Sequence, residues 1–174
     1  MNILLIGLRC SGKSTIGALL AQRLGLEFVD LDNVTPMVLG AATVRDAWDR
    51  FGQDAFRNAE TVALSKVLVK DGCVVALGGG TPTAPMAADL IRDERRQNRA
   101  RVIYLAATPA TLRDRLSRAE NVHRPSITGT DPISEVEVVL EKRDPIFRSL
   151  ADRVVDVDSA APQAIADTIA RELP

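Results

Sequence analysis

"NILLIGLRCSGKST", Asn2 to Thr15, joins an apolar run to a loop framed by glycines and then to a helical pattern. Gly7 to Ser14 fits G-x-x-x-x-G-K-[ST], with a strand-like run before it and a helix-like run after it, the context a phosphate-binding loop requires. Gly7 and Gly12 permit turns that point backbone N–H groups inward. Those groups, from Arg9, Cys10 and Ser11 onward through Thr15 at the helix start, are the donors that hold phosphate oxygens. Lys13 supplies a positive charge to the outer phosphates, and Ser14 offers a hydroxyl to Mg²⁺. A lysine at the positive end of a helix dipole is unfavourable without an anion beside it. The stretch therefore predicts a bound nucleotide and a strand–loop–helix unit.

Working outward, the same alternation repeats. Apolar runs at Asn2–Leu8, Leu26–Asp32, Cys73–Gly80, Arg101–Ala107 and Arg153–Ser159 read as strands covered on both faces. Helical patterns occupy Lys13–Leu24, Gln53–Lys70, Pro109–Arg118, Ile133–Leu150 and Pro162–Glu172. Five strands alternating with helices predict one α/β domain over residues 1–174, built on a parallel sheet with right-handed crossovers. Residues 119–132 show no period and carry Pro125, Gly129 and Pro132, so an exposed loop is expected there.

Composition narrows the partners. The net charge of −1 offers no global basic field for nucleic acid or membrane, so anion binding must come from local arginines. Aromatic residues make up only 3% of the chain, which argues against a base-stacking surface. Cys10 and Cys73 match no zinc or CxxC spacing and are expected as reduced thiols. The N-terminal apolar run is too short for a signal peptide, and no run approaches a membrane span, so a cytoplasmic location is expected.

The guanine-reading NKxD of a GTPase is absent, and "VIYLAA" does not end in an acid as the Mg²⁺ strand of a motor ATPase usually does. Acids instead close "EFVDLD", where Asp30 and Asp32 are expected to leave one side of a strand end. A small chain with acids just after the first helix reads as a small-molecule kinase. Further groups suit an acceptor. Arg57 and Glu60 lie three apart in a helical pattern and can pair, although a surface ion pair has the same spacing. Gly78, Gly79 and Gly80 end a strand, where ligands bind in open α/β sheets, although a plain turn would also use glycine. Arg124 sits in the aperiodic loop, placed to close over a nucleotide or to be merely solvated. Arg143 precedes Pro145 inside a helical pattern, which also fits a structural kink.

Taken in order, "GLRCSGKST", "DLD", "FRNAE", "LGGG", "RP" and "RDPIF" followed by "AD" resemble shikimate kinases nearly end to end. The resemblance implies a P-loop nucleoside-monophosphate-kinase-like three-layer sandwich with a five-stranded parallel sheet, an acceptor-binding segment at about 33–60 and a lid at about 118–132. It implies ATP-dependent phosphorylation of the 3-hydroxyl of shikimate, with Mg²⁺, on the route to chorismate and the aromatic amino acids, by a monomer. Asp32 would contact ring hydroxyls and accept the attacking proton, and Asp30 would help hold Mg²⁺ through water. Arg57 and Arg143 would grip the substrate carboxylate, with Glu60 orienting Arg57. Gly78–Gly80 would close on the substrate. Arg124 would reach the phosphates and Arg118 would lie over adenine.

Two stretches differ from the family pattern. "NVTPM" puts Pro36 where a helix near the substrate is expected, and the lid reads "RPSITG", with polar Ser126 where leucines commonly stand. His123 reads as a solvated loop imidazole, and Trp48 as a packing residue beside the acceptor helices. Arg9 and Cys10 occupy loop positions where small residues often occur. The rival readings are a kinase of another hydroxy acid, such as gluconate, and a non-catalytic nucleotide-binding relative.

Overall fold

Ile3 and Leu5 point to one side of the first strand and Leu4 and Ile6 to the other, and all four are buried. A strand apolar on both faces must lie inside a sheet, with helices on each side. The computed structural model, which describes residues 1–118, 131 and 133–173, has this arrangement. Among the described residues, five strands form one parallel sheet in the order β2-β3-β1-β4-β5. The strands are β1 (Asn2–Ile6), β2 (Glu27–Asp30), β3 (Cys73–Ala76), β4 (Ala100–Ala106) and β5 (Arg153–Asp156). The helices are α1 (Lys13–Leu24), α2 (Leu31–Val38), α3 (Val44–Leu68), α4 (Ala87–Arg96), α5 (Pro109–Arg118), α6 (Val136–Leu150) and α7 (Pro162–Glu172).

The two faces of the sheet carry separate cores. Ile3, Leu5, Val74, Ile103 and Val155 pack with Ile16 and Leu20 of α1 and Ile165 and Ile169 of α7. Leu4, Ile6, Val75, Val102 and Tyr104 pack with Leu64 of α3, Ile91 of α4, Leu112 of α5 and Phe147 of α6. A third, small cluster joins Ala41, Ala47 and Phe56, with Trp48 against it, at the α2–α3 end. The three-layer sandwich and its five-stranded parallel sheet are as expected from the sequence. Among the described residues, no helix is long and apolar enough to cross a membrane.

Several boundaries differ from the sequence reading, each for a local reason. Asp32 is not at a strand end beside Asp30. Asp30 ends β2 in extended backbone, and its carboxylate accepts from the Asp32 N–H at 3.0 Å, so the chain turns at once into α2 with Asp32 in the first turn. Pro36 lies inside α2 without stopping it, because the helix runs only to Val38 and little of it depends on the missing N–H. The glycine run belongs to no strand. Thr81 N–H bonds to the Gly78 carbonyl at 3.0 Å, and the chain enters a 3₁₀ turn at Thr81–Thr83.

The helix expected from Gln53 begins nine residues earlier, at Val44, where Thr43 caps it by accepting from Asp46 N–H. It is two rods joined at Gly52, whose φ of 79° and ψ of 176° break the helical path. The helix expected from Ile133 begins at Val136, since Asp131 accepts from the amides of Ile133 and Ser134 and holds them in a turn. α4 was not anticipated, although Ala87, Leu90, Ile91 and Glu94 recur at helical spacing and Ala87, Ile91 and Glu94 are buried.

One polar residue fastens the layers. Asp152, between α6 and β5, accepts from the buried Val102 N–H at 2.8 Å and from Nε and Nη2 of Arg95 on α4 at 2.9 and 2.7 Å. Replacing it with Ala leaves Val102 N–H without a partner, and a loss of about 1–3 kcal/mol is expected. A lower urea midpoint with an unchanged Michaelis constant for acceptor is the expected outcome for Asp152→Ala.

Candidate active site

Three adjacent strands deliver three loops to one rim. β1 leads to the phosphate loop, β3 beside it leads to the glycine run, and β2 beyond leads to Asp30 and Asp32. The carboxyl ends of neighbouring parallel strands are where such sheets bind ligands.

Within the phosphate loop, Gly12 has a φ of 96° and hands the chain to α1, while Cys10 is also left-handed at 63°. Lys13 is 7% exposed, and its ammonium donates to the carbonyls of Gly7 and Leu8 at 2.9 and 2.7 Å. Ser11 is buried, and its hydroxyl has no hydrogen-bond partner among the described residues. A buried cation and an unsatisfied hydroxyl at a helix N-terminus form an environment that an anion completes. Ser14 Oγ donates to Asp30 Oδ2 at 2.5 Å, so two hard oxygen donors stand together at the loop mouth. Thr15 is exposed in the first turn of α1.

The acceptor residues converge on an open cleft lined among others by Arg9, Asp32, Arg57, Glu60, Gly80 and Arg143. Glu60 is 3% exposed. It binds Arg57 Nη1 through Oε2 at 2.5 Å and accepts from the Thr81 hydroxyl through Oε1 at 2.8 Å. This is a buried, oriented pair and not a solvated surface one. Trp48 supports it from the side, with the Arg57 guanidinium 5.6 Å from its ring and Phe56 at 5.4 Å.

The glycines prove to be a matter of space. A Cβ at Gly78 would stand 2.8 Å from Glu60 Oε1 and 3.1 Å from Asp32 Oδ1. One at Gly79 would stand 3.0 Å from the backbone N of Arg9, and one at Gly80 would occupy the Arg57 guanidinium. Each glycine admits a different part of the site.

Arg143, on α6, is 9% exposed and donates to the Gly79 carbonyl at 2.9 Å. Among the described residues no carboxylate forms an ion pair with it. Burial first, and the neighbouring Arg57 guanidinium second, lower its pKa to about 10. At neutral pH it is a charged, poorly hydrated guanidinium facing a cleft. Such a group is a strong receptor for a carboxylate.

The sequence reading missed four contributors: Thr81, Glu135, Phe56 and Arg115. Thr81 holds Glu60, and it directly follows the glycines. Glu135 is buried and pairs with Arg9, which therefore lines the acceptor cleft as well as belonging to the phosphate loop. Phe56 walls the cleft beside Trp48, which packs by the acceptor helices as expected. Arg115 on α5 donates to the carbonyls of Cys10 at 3.4 Å and Val157 at 2.8 Å, while Arg118, one turn on, is exposed and paired with Asp114. Arg124, like most of the segment expected as a lid, lies outside the described residues.

Because the Arg57 guanidinium occupies the space above Gly80, Gly80→Ala is expected to displace it. Acceptor affinity should fall by roughly tenfold or more while nucleotide affinity stays within twofold, measured by titration calorimetry with each ligand.

The model of the shikimate kinase family matches residues 9–174. A shikimate kinase from Marinomonas sp. is 36% identical over 170 residues, covering 97% of this chain and 89% of that protein. A shikimate kinase from Acinetobacter baumannii, solved in complex with shikimate, superposes with a TM-score of 0.85 at 29% identity, covering 99% of this chain and 95% of that one. A gluconokinase from Sinorhizobium meliloti is similar at a TM-score of 0.58 and 21% identity, covering 98% of this chain and 93% of that one, which shows the fold alone. Because the family model matches residues 9–174 and a relative is 36% identical over 97% of the chain, the chain belongs to the shikimate kinase family.

Proposed function

We propose that this enzyme transfers the γ-phosphoryl group of ATP to the 3-hydroxyl of shikimate, giving ADP and shikimate 3-phosphate. The observation that carries this reading is the buried Arg57–Glu60 pair set beside Arg143 at the glycine run, against the rim that carries the phosphate loop. Shikimate bears a permanent carboxylate, and two guanidinium groups close together in a low-dielectric cleft bind such a group. Glu60 neutralises Arg57 in part and fixes its direction, so Arg143 brings the excess charge that the carboxylate balances.

In the reaction the 3-hydroxyl oxygen forms a bond to the γ-phosphorus as the bond to the β–γ bridging oxygen breaks. Phosphoryl transfer depends more on alignment and charge stabilisation than on covalent catalysis. Asp32, at the wall formed by Gly78, holds the hydroxyl in line and takes its proton late in the step. Lys13 and the backbone N–H groups of Gly12 and its neighbours hold the phosphates, with Ser11 as a further donor. Ser14 and, through water, Asp30 are the oxygen donors that would hold Mg²⁺. When bound, the ion neutralises phosphate charge. The roles of Arg124 on the phosphates and of Arg118 over adenine rest on the family resemblance, as do monomeric action and a cytoplasmic location. The same holds for one domain over 1–174, with an acceptor segment at about 33–60 and a lid at about 118–132.

The deciding experiment is ADP release from Mg-ATP in a coupled assay with shikimate, gluconate or no acceptor. Turnover that depends on shikimate supports the reading. Turnover with gluconate alone would replace the acceptor, and ATP binding without turnover would leave a non-catalytic relative.

Two variants test the assignments. Arg57→Ala is expected to raise the Michaelis constant for shikimate roughly 10- to 100-fold with little change for ATP, as removal of a charge-assisted carboxylate contact requires. Asp32→Asn keeps the shape and loses the base, and a kcat lower by about 100-fold with near-normal ATP binding is expected.

A further inference from the structure

The turn of α6 that carries Arg143 is also its weakest. Pro145 has no N–H for the Glu141 carbonyl, and its ring crowds the preceding turn. Asp144 lies between the two. Its Oδ1 accepts from the Tyr104 hydroxyl at 2.9 Å and its Oδ2 from Arg148 Nε at 2.7 Å. Tyr104 is buried in β4, and Phe147 meets its ring edge-on at 5.2 Å. Burial, and then the bond to Asp144, keep the phenol well above its usual range, so it stays a donor. Phenylalanine would fill the same space without a polar atom to satisfy. Packing alone therefore does not account for the hydroxyl, and phosphoryl transfer does not use it.

We propose that the Tyr104–Asp144 hydrogen bond fixes the rotation of α6 across Pro145 and so aims the Arg143 guanidinium at the acceptor carboxylate. The inference rests on the clamp reading above. Successive helical residues differ by about 100°, so pinning Asp144 to β4 sets the direction of Arg143. A helix rotation of ~20° would move a group ~7 Å from the axis by ~2 Å, enough to break a hydrogen bond. Tyr104 and Asp144 are positioning residues. They touch neither substrate nor reacting atoms.

The test is Tyr104→Phe in the full chain. The Michaelis constant for shikimate should rise about three- to tenfold, with kcat and the ATP constant within twofold. In an Arg143→Ala background the same change should add nothing, because the residue being aimed is gone. Asp144→Asn, which keeps an oxygen for the phenol, should lie closer to the parent than Asp144→Ala. A lower denaturation midpoint with an unchanged shikimate constant, or an equal effect without Arg143, would overturn the proposal. A crystal structure of the Tyr104→Phe enzyme gives a reading independent of turnover. Arg143 still at 2.9 Å from the Gly79 carbonyl would overturn it, and a displaced guanidinium would support it. Failure of the parent enzyme to use shikimate would show separately, in the acceptor assay.

Discussion

A single buried carboxylate organises the acceptor side. Glu60 sits on the second rod of α3, yet it joins three elements: its own helix through Arg57, the 3₁₀ turn through Thr81, and the glycine run against which it packs. An ionised carboxylate this deep is stable only with its oxygens satisfied, and here each has its own donor. The arginine is held by charge on one side and by the Trp48 ring on the other, so its direction is set before any ligand arrives. Preorganisation of this kind lowers the ordering entropy that binding must overcome.

Charge in the cleft is arranged in graded fashion. Arg57 is matched by Glu60 and Arg9 by Glu135, whereas Arg143 leans on a backbone carbonyl. A nearly neutral protein thereby places an unmatched positive charge, among the described residues of the acceptor cleft, at Arg143. The phosphate loop and the glycine run are also in direct contact, since Gly79 lies against the backbone of Arg9. The two ligand sites share a wall, and either loop moves only as the other permits.

The phosphate loop was legible because its signal is local: a fixed spacing, a strand before it and a helix after it. The parallel sheet followed from runs such as Asn2–Ile6, buried on both faces. The acceptor residues were legible only as an ordered set, because FRNAE or GGG alone has ordinary structural explanations. Other features were hidden for physical reasons. Whether Asp32 ends a strand or starts a helix depends on a cap from Asp30, two residues away. The kink at Gly52 leaves the apolar pattern of α3 intact on both sides. The burial of Glu60 and Glu135 depends on partners 21 and 126 residues distant in sequence, which no local pattern carries.

The break at Gly52 divides the labour within α3. The first rod, from Val44, holds Trp48, while the second holds Phe56, Arg57 and Glu60 and is anchored in the main core through Leu64 and Val67. The clamp thus belongs to the rod seated in the main core, while Trp48 belongs to the first rod, which the small cluster of Ala41, Ala47 and Phe56 ties to the second. The grip on the acceptor's charge is therefore anchored in the core through the second rod, while its lateral support, the Trp48 ring, reaches it across the kink, so a change in the angle at Gly52 would alter the support without moving the anchor.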